Sequence, residues 1–135
     1  MRFITRDTDY AMRALIFMAR IGKEKDRDIV TVDEIIKTQK LPRVFLRRLL
    51  QELAKNKILV SYKGKDGGFS FLMPPSKINV IHIIKIFQGE IDLTHCFLKT
   101  ALCPNIKICA FRKRLKSINA MVNRELETLR ISSLI

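Results

Sequence analysis

Between residues 10 and 21 the apolar side chains Tyr10, Ala11, Ala14, Leu15, Phe17, Met18 and Ile21 recur every three or four positions, the spacing of one helix face. A first helix over 8–21 follows, with Thr5 or Thr8 as its N-cap. The charged stretch Gly22 to Asp28 reads as a loop and Ile29-Val30 as a short extended piece. Thr31, followed by Asp33 and Glu34, marks a second helix to about Lys37, because a cap oxygen and an acidic first turn both suit a helix N-terminus. Leu41-Pro42 interrupts it, and Pro42 suits the first turn of a third helix over roughly 42–56, where its missing N–H has no intrahelical partner. In that helix Phe45, Leu46, Leu49, Leu50 and Leu53 share one face. Arg43, Arg47, Arg48, Gln51 and Lys55 occupy the other.

Two short helices in tight succession, the second with an arginine-rich exposed face, describe a helix-turn-helix whose second member can enter a major groove. Residues 58–63 (I-L-V-S-Y-K) and 69–72 (F-S-F-L) read as two strands joined by G-K-D-G-G, whose glycines supply the positive φ a hairpin needs. Pro74-Pro75 ends the second strand, and Asn79 caps a fourth helix through Phe87. A long amphipathic helix over 106–129 carries Ile108, Phe111, Leu115, Ile118, Val122 and Leu129 as an apolar stripe. At the end of so small a domain the stripe calls for a partner, and a homodimer is the economical one; the alternative is that the helix folds back on its own domain. The expected fold is mainly α with a small β-hairpin wing. A winged helix-turn-helix region over 1–78 and a region over 79–135 (helix, cysteine loop, dimerisation helix) form one structural unit.

The 135 residues suffice for one compact core and not for two. A hydrophobic fraction of 47% excludes a wholly disordered basic tail. No apolar run approaches the ~18 residues of a membrane span, and the start of the chain does not read as a secretion leader, so a cytoplasmic protein is expected. Lys and Arg number 26 against 13 Asp and Glu, a net charge of +13, which suits a polyanion. Much of the excess has one address: Lys40, Arg43, Arg47, Arg48, Lys55, Lys57, Lys63 and Lys65 stand against Glu52 alone. Arginines on the reader helix can bridge guanine edges or phosphates, and Lys63 and Lys65 in the wing can reach the backbone or minor groove. A dimer presenting two such helices to half-sites about 34 Å apart predicts a palindromic double-stranded operator.

Cys96, Cys103 and Cys109 lie in one short stretch, and an odd number of thiols in a reducing compartment suggests metal or redox chemistry before a disulfide. Their spacing, Cys-x6-Cys-x5-Cys, is wider than the Cys-x2-Cys hooks of zinc fingers. A bulky iron–sulfur cluster, a zinc site completed by His95 and plain thiols all remain open on spacing. His82, in an apolar helix, reads as a core or interface residue. No nucleophile–base pair, phosphate loop or paired acidic motif points to an enzyme.

Four segments in order, T-D-Y-A-M-R-A-L at 8–15, L-P-R-V-F-L-R-R-L-L-Q-E-L at 41–53, K-G-K-D-G-G-F at 63–69 and the three-cysteine loop, resemble the IscR/NsrR family of bacterial winged-helix regulators over nearly the whole chain. The resemblance implies a homodimer with crossing C-terminal helices and a cluster in the cysteine loop that alters DNA affinity with iron–sulfur status, nitric oxide or iron. The cluster-assembly regulators take a histidine three positions after the third cysteine as fourth ligand; Arg112 stands there in this chain and cannot ligate. The nitric-oxide sensors use the aspartate of the T-D motif from the partner, which is Asp9 here. The resemblance therefore implies Cys96, Cys103, Cys109 and Asp9 on a 4Fe-4S cluster, with 2Fe-2S as the alternative. A cluster-free regulator controlled by a protein partner or small ligand, and an iron–sulfur electron carrier, are the rival readings.

Overall fold

The computed structural model describes residues 2–94 and 103–135. Helix α1 spans Arg6–Lys25. It starts on Thr5, whose hydroxyl accepts from Thr8 N–H, and Asp7 and Asp9 lie in its first turn. It runs through half of the expected loop and stops at Asp26 in the left-handed conformation, φ 47°; Lys23 and Lys25 in the last turn favour this extension by facing the negative end of the helix dipole. Helix α2 (Val32–Gln39) opens on a reciprocal capping box: Thr31 Oγ1 accepts from Glu34 N–H at 3.2 Å, and Glu34 Oε2 accepts from Thr31 N–H at 2.8 Å. Helix α3 is Arg43–Lys55. Pro42 is its N-cap rather than its first-turn residue, and the Pro42 carbonyl accepts from Leu46 N–H.

The wing pairs β1 (Leu59–Tyr62) antiparallel with β2 (Gly68–Phe71), with Leu59 opposite Phe71 and Tyr62 opposite Gly68. The extended Ile29-Val30 piece joins its other edge, because Val30 and Phe69 exchange two N–H···O bonds of 2.9 Å. Of the hairpin glycines only Gly64 takes a positive φ, 100°. Gly67 and Gly68 are needed for a different reason: a Cβ on either would run into backbone, the Tyr62 carbonyl oxygen for Gly67 and the Val30 carbonyl oxygen for Gly68.

Helix α4 (Val80–Gln88) starts on Asn79, whose Oδ1 accepts from Ile81 N–H while its amide donates to the Glu127 carbonyl. Helix α5 is Ala110–Thr128, four residues shorter at its start than expected. Cys109 is its N-cap, with Sγ accepting from Arg112 N–H at 3.4 Å, and residues 103–108 form turns. A short 3-10 turn, Ile131–Leu134, returns the chain to the body through Ile131 N–H to the Ile78 carbonyl, while Val80 N–H bonds the Leu129 carbonyl.

One core holds these parts together. Ala11, Ala14, Leu15 and Met18 of α1 pack with Ile35 of α2, Leu46, Leu50 and Leu53 of α3, Ile83 and Ile84 of α4, and Ile131. The two α1 alanines let the neighbouring elements approach closely. The α5 stripe divides along its length. Val122, Leu126 and Leu129 pack on the core, and Asn119 and Asn123 bond the backbone at Leu93 and Ile91. Phe111 lies on the same face about five turns before Leu129, yet it is 72% exposed, as are Ile108 at 81% and Met121 at 57%. The expected alternative of folding back is thus met by the second half of the stripe and not by the first.

Candidate nucleic-acid interface

Helix α3 buries Leu46, Leu49, Leu50 and Leu53 to 1% exposure or less, which turns Arg43, Val44, Arg47, Arg48, Gln51 and Lys55 to solvent. Arg47 and Gln51 face the wing across a groove of about 510 Å³, whose other walls include Asp33, Lys63, Gly64 and Lys65. Among the described residues no side-chain hydrogen bond or ion pair engages Arg47, Gln51, Lys55, Lys63 or Lys65, so these side chains meet an incoming polyanion unencumbered.

The other two arginines are held. Arg43 pairs with Asp33 of α2 at 2.5 Å. Arg48 pairs with Asp7 of α1 at 3.0 Å. Half-buried Phe45 carries the Arg6 guanidinium 4.6 Å and the Arg48 guanidinium 5.7 Å from its ring centre, cation–π contacts that brace α3 against the start of α1. The holding carboxylates, Asp7 and Asp33, were not read from the sequence as site residues. Asp33 showed only as a first-turn acid, and nothing local links Asp7 to a helix 41 positions on. At the start of α2, burial pushes the Glu34 carboxyl up, but the Thr31 backbone N–H, Arg27 and the Thr31 hydroxyl together outweigh it and hold Glu34 below its ordinary value. Arg27 reaches Glu34 at 2.6 Å.

Cys103 and Cys109 are half-buried free thiols; Cys96 and His95 lie outside the described residues. Beside Cys109 a cavity of about 360 Å³ is walled by Lys107, Arg112, Lys113 and Lys116, and among the described residues Arg112 Nε is buried without a hydrogen-bond partner. Asp9 sits on the first turn of α1, half-exposed, with Arg13 at 2.7 Å; both bonds from Arg13 land on Oδ2. His82 is exposed on α4 and is not a core residue, because the α4 core face is made by Val80, Ile81, Ile83 and Ile84.

Residues 4–135 match the family model of Rrf2, described as iron-dependent transcriptional regulator. The chain belongs to the Rrf2 family. An HTH-type transcriptional regulator NsrR of Oceanobacillus iheyensis is 33% identical over 92 residues, 68% of this chain and 60% of that protein. A candidate HTH-type regulator of Aquifex aeolicus is 38% identical over 71% of this chain and 66% of its own length. The alignments thus span somewhat less than two thirds of these two relatives. The structure of CymR, the global cysteine regulator of Bacillus subtilis, superposes with a TM-score of 0.81 at 21% identity, covering 99% of this chain and 96% of that one; at that identity the likeness speaks for the winged-helix fold. The Rrf2 relatives are named as transcriptional regulators and not as enzymes. Among the described residues no helix is long and apolar enough to cross a membrane.

The donors of this Rrf2 chain fit an iron–sulfur cluster in kind. Two free thiols flank one turn segment, and among the described residues the cavity beside Cys109 is lined with cations and no carboxylate, which offsets the negative charge of a thiolate-ligated cluster.

Proposed function

We propose that this Rrf2 protein is a homodimeric, sequence-specific DNA-binding transcriptional regulator whose cysteine loop senses through an iron–sulfur cluster. The observation that carries the DNA half is the groove between α3 and the wing, where Arg47, Gln51, Lys63 and Lys65 converge with no side-chain partner among the described residues. Residues 1–78 read the duplex: Arg47 and Gln51 meet base edges, the wing lysines meet phosphates, and Arg43, Arg48 and Lys55 flank them. Residues 79–135 join two copies, with Phe111, Ile118 and Met121, exposed in one chain, as the covered surface.

Cys96, Cys103 and Cys109 with Asp9 of the partner subunit would hold the cluster, 4Fe-4S rather than 2Fe-2S. When bound, the cluster supplies a group whose loss or modification reports iron, nitric oxide or redox state. The chain's own residues carry the rest. Lys107, Arg112, Lys113 and Lys116 offset charge at the loop, and α1 links Asp9 to the reader helix through Asp7 and Arg48, a path by which occupancy biases how the two reader helices are held. Anaerobic purification followed by an absorption spectrum with iron and sulfide analysis tests this directly. A brown protein with both elements is expected. A colourless protein lacking both after reconstitution overturns the cluster and leaves a cluster-free regulator; a cluster whose removal leaves DNA affinity unchanged points instead to an electron carrier.

A further inference from the structure

The second residue of the reader helix is an anomaly. Val44 is 79% exposed, although the other large apolar residues of α3 are buried or half-buried. A β-branched residue on an exposed helix position is unfavourable relative to alanine, since its χ1 freedom is lost against the preceding turn. Val44 therefore gains nothing from the fold that is described.

Its position gives it a use. At about 100° per residue, Gln51 and Lys55 fall within roughly 20° of Val44 around the α3 axis, while Arg48 and Arg47 flank it at about 40° and 60°. The valine thus stands in the middle of the polar reader face, at its N-terminal turn, the end that recognition helices bring to base edges. Its neighbours supply charge and hydrogen bonds, and Val44 supplies two methyl groups. In the major groove one feature is apolar: the C5-methyl of thymine.

We infer that Val44 is a specificity-determining residue that packs its methyl groups on a thymine C5-methyl in each half-site. The inference rests on the DNA-binding reading above and adds to it one base and one contact. An arginine face alone selects guanine or phosphate; an apolar side chain at its centre selects a methylated pyrimidine and disfavours the bare polar edge of cytosine.

The test uses the full-length protein. A duplex site is selected from a random-sequence DNA pool, and its thymines are then replaced one at a time by uracil, which lacks only the methyl. One thymine per half-site should lose about fourfold in affinity on replacement, the effect of one buried CH2-sized group. The loss should shrink in Val44→Ala, which withdraws both γ-methyls, and persist in Val44→Thr, which keeps one γ-methyl. Indifference of the wild-type protein to every uracil, or a Val44→Ala variant as sensitive as wild type, overturns the assignment. A pool that yields no enriched site overturns the DNA reading and, with it, this contact.

Discussion

The carboxylate of Asp7 accepts a hydrogen bond from the guanidinium of Arg48 at 3.0 Å, joining the first turn of α1 to the reader helix. The Asp7 side chain is 29% exposed and that of Arg48 58%, so the pair lies at the edge of the body, where such bonds contribute at most about 1 kcal/mol to stability. Its effect is on geometry and charge. While Asp7 holds it, Arg48 is tied to the first turn of α1 and its charge is offset by a carboxylate. Asp7→Asn should release one cation to the DNA and steepen the dependence of log affinity on log salt by about one phosphate contact. Fluorescence anisotropy at several salt concentrations reads the slope, and an unchanged slope would mean that Arg48 reaches no phosphate once freed.

Among the described residues the Arg47 side chain has no partner, whereas Arg43 is paired to Asp33. Arg47→Ala should cost about 1–3 kcal/mol of operator affinity and relax preference at one base position. Arg43→Ala should cost less and leave base preference unaltered. Equal losses from both would remove the distinction between a reading and a clamping arginine.

The wing depends on close backbone approach at Gly68. Gly68→Ala would drive a methyl into the Val30 carbonyl oxygen and break the bridge between Val30 and Phe69, costing about 1–3 kcal/mol as overpacking does. Gly64→Ala meets open space and pays only for its φ of 100°, so it should cost less. Thermal unfolding of the two variants gives the order.

Glu34 has a folded pKa below its ordinary value, so it stabilises the native state above the unfolded pKa, and that contribution is lost as pH falls through the folded value. Glu34→Gln should therefore lower stability near neutral pH and converge with wild type in acid, below both values. Denaturant titrations across the acidic range check this, and a gap between the two proteins that does not narrow in acid would count against the linkage.

Phe111 and Ile118 are exposed on one chain, at 72% and 45%. On the proposed homodimer, Phe111→Glu with Ile118→Glu should leave the fold of each chain within about 0.5 kcal/mol, as surface changes do, while sedimentation shifts from dimer to monomer. A variant that still sediments as the wild type would place the subunit contact elsewhere.

Most of the fold was legible because its signals are local. Thr31 with Glu34, Asn79 ahead of Val80 and the Leu46-Leu49-Leu50-Leu53 spacing each declare an element within a few residues. The misplaced boundaries share a cause. Helix α1 continues to Lys25 through residues that read as loop because they are charged, and α5 begins at Ala110 because a cysteine sulfur caps it, a role that sequence patterns assign to oxygen. The hairpin glycines were expected to supply positive φ, but two of the three are there because neighbouring backbone leaves no room for a side chain, and steric crowding between distant segments has no local signature.

The sequence by itself determined the winged helix-turn-helix, the basic character of its reader helix and wing, and the family to which it belongs, since apolar period, capping residues and motif order are properties of neighbours along the chain. Tertiary structure alone decided which arginine is free. Asp7 reaches Arg48 across 41 residues and Asp33 reaches Arg43 from another helix, leaving Arg47 open to the wing. It also decided where the α5 stripe is covered and where it is bare, because burial depends on how far the body of the domain extends beneath a helix, and a periodic pattern records only which face is apolar.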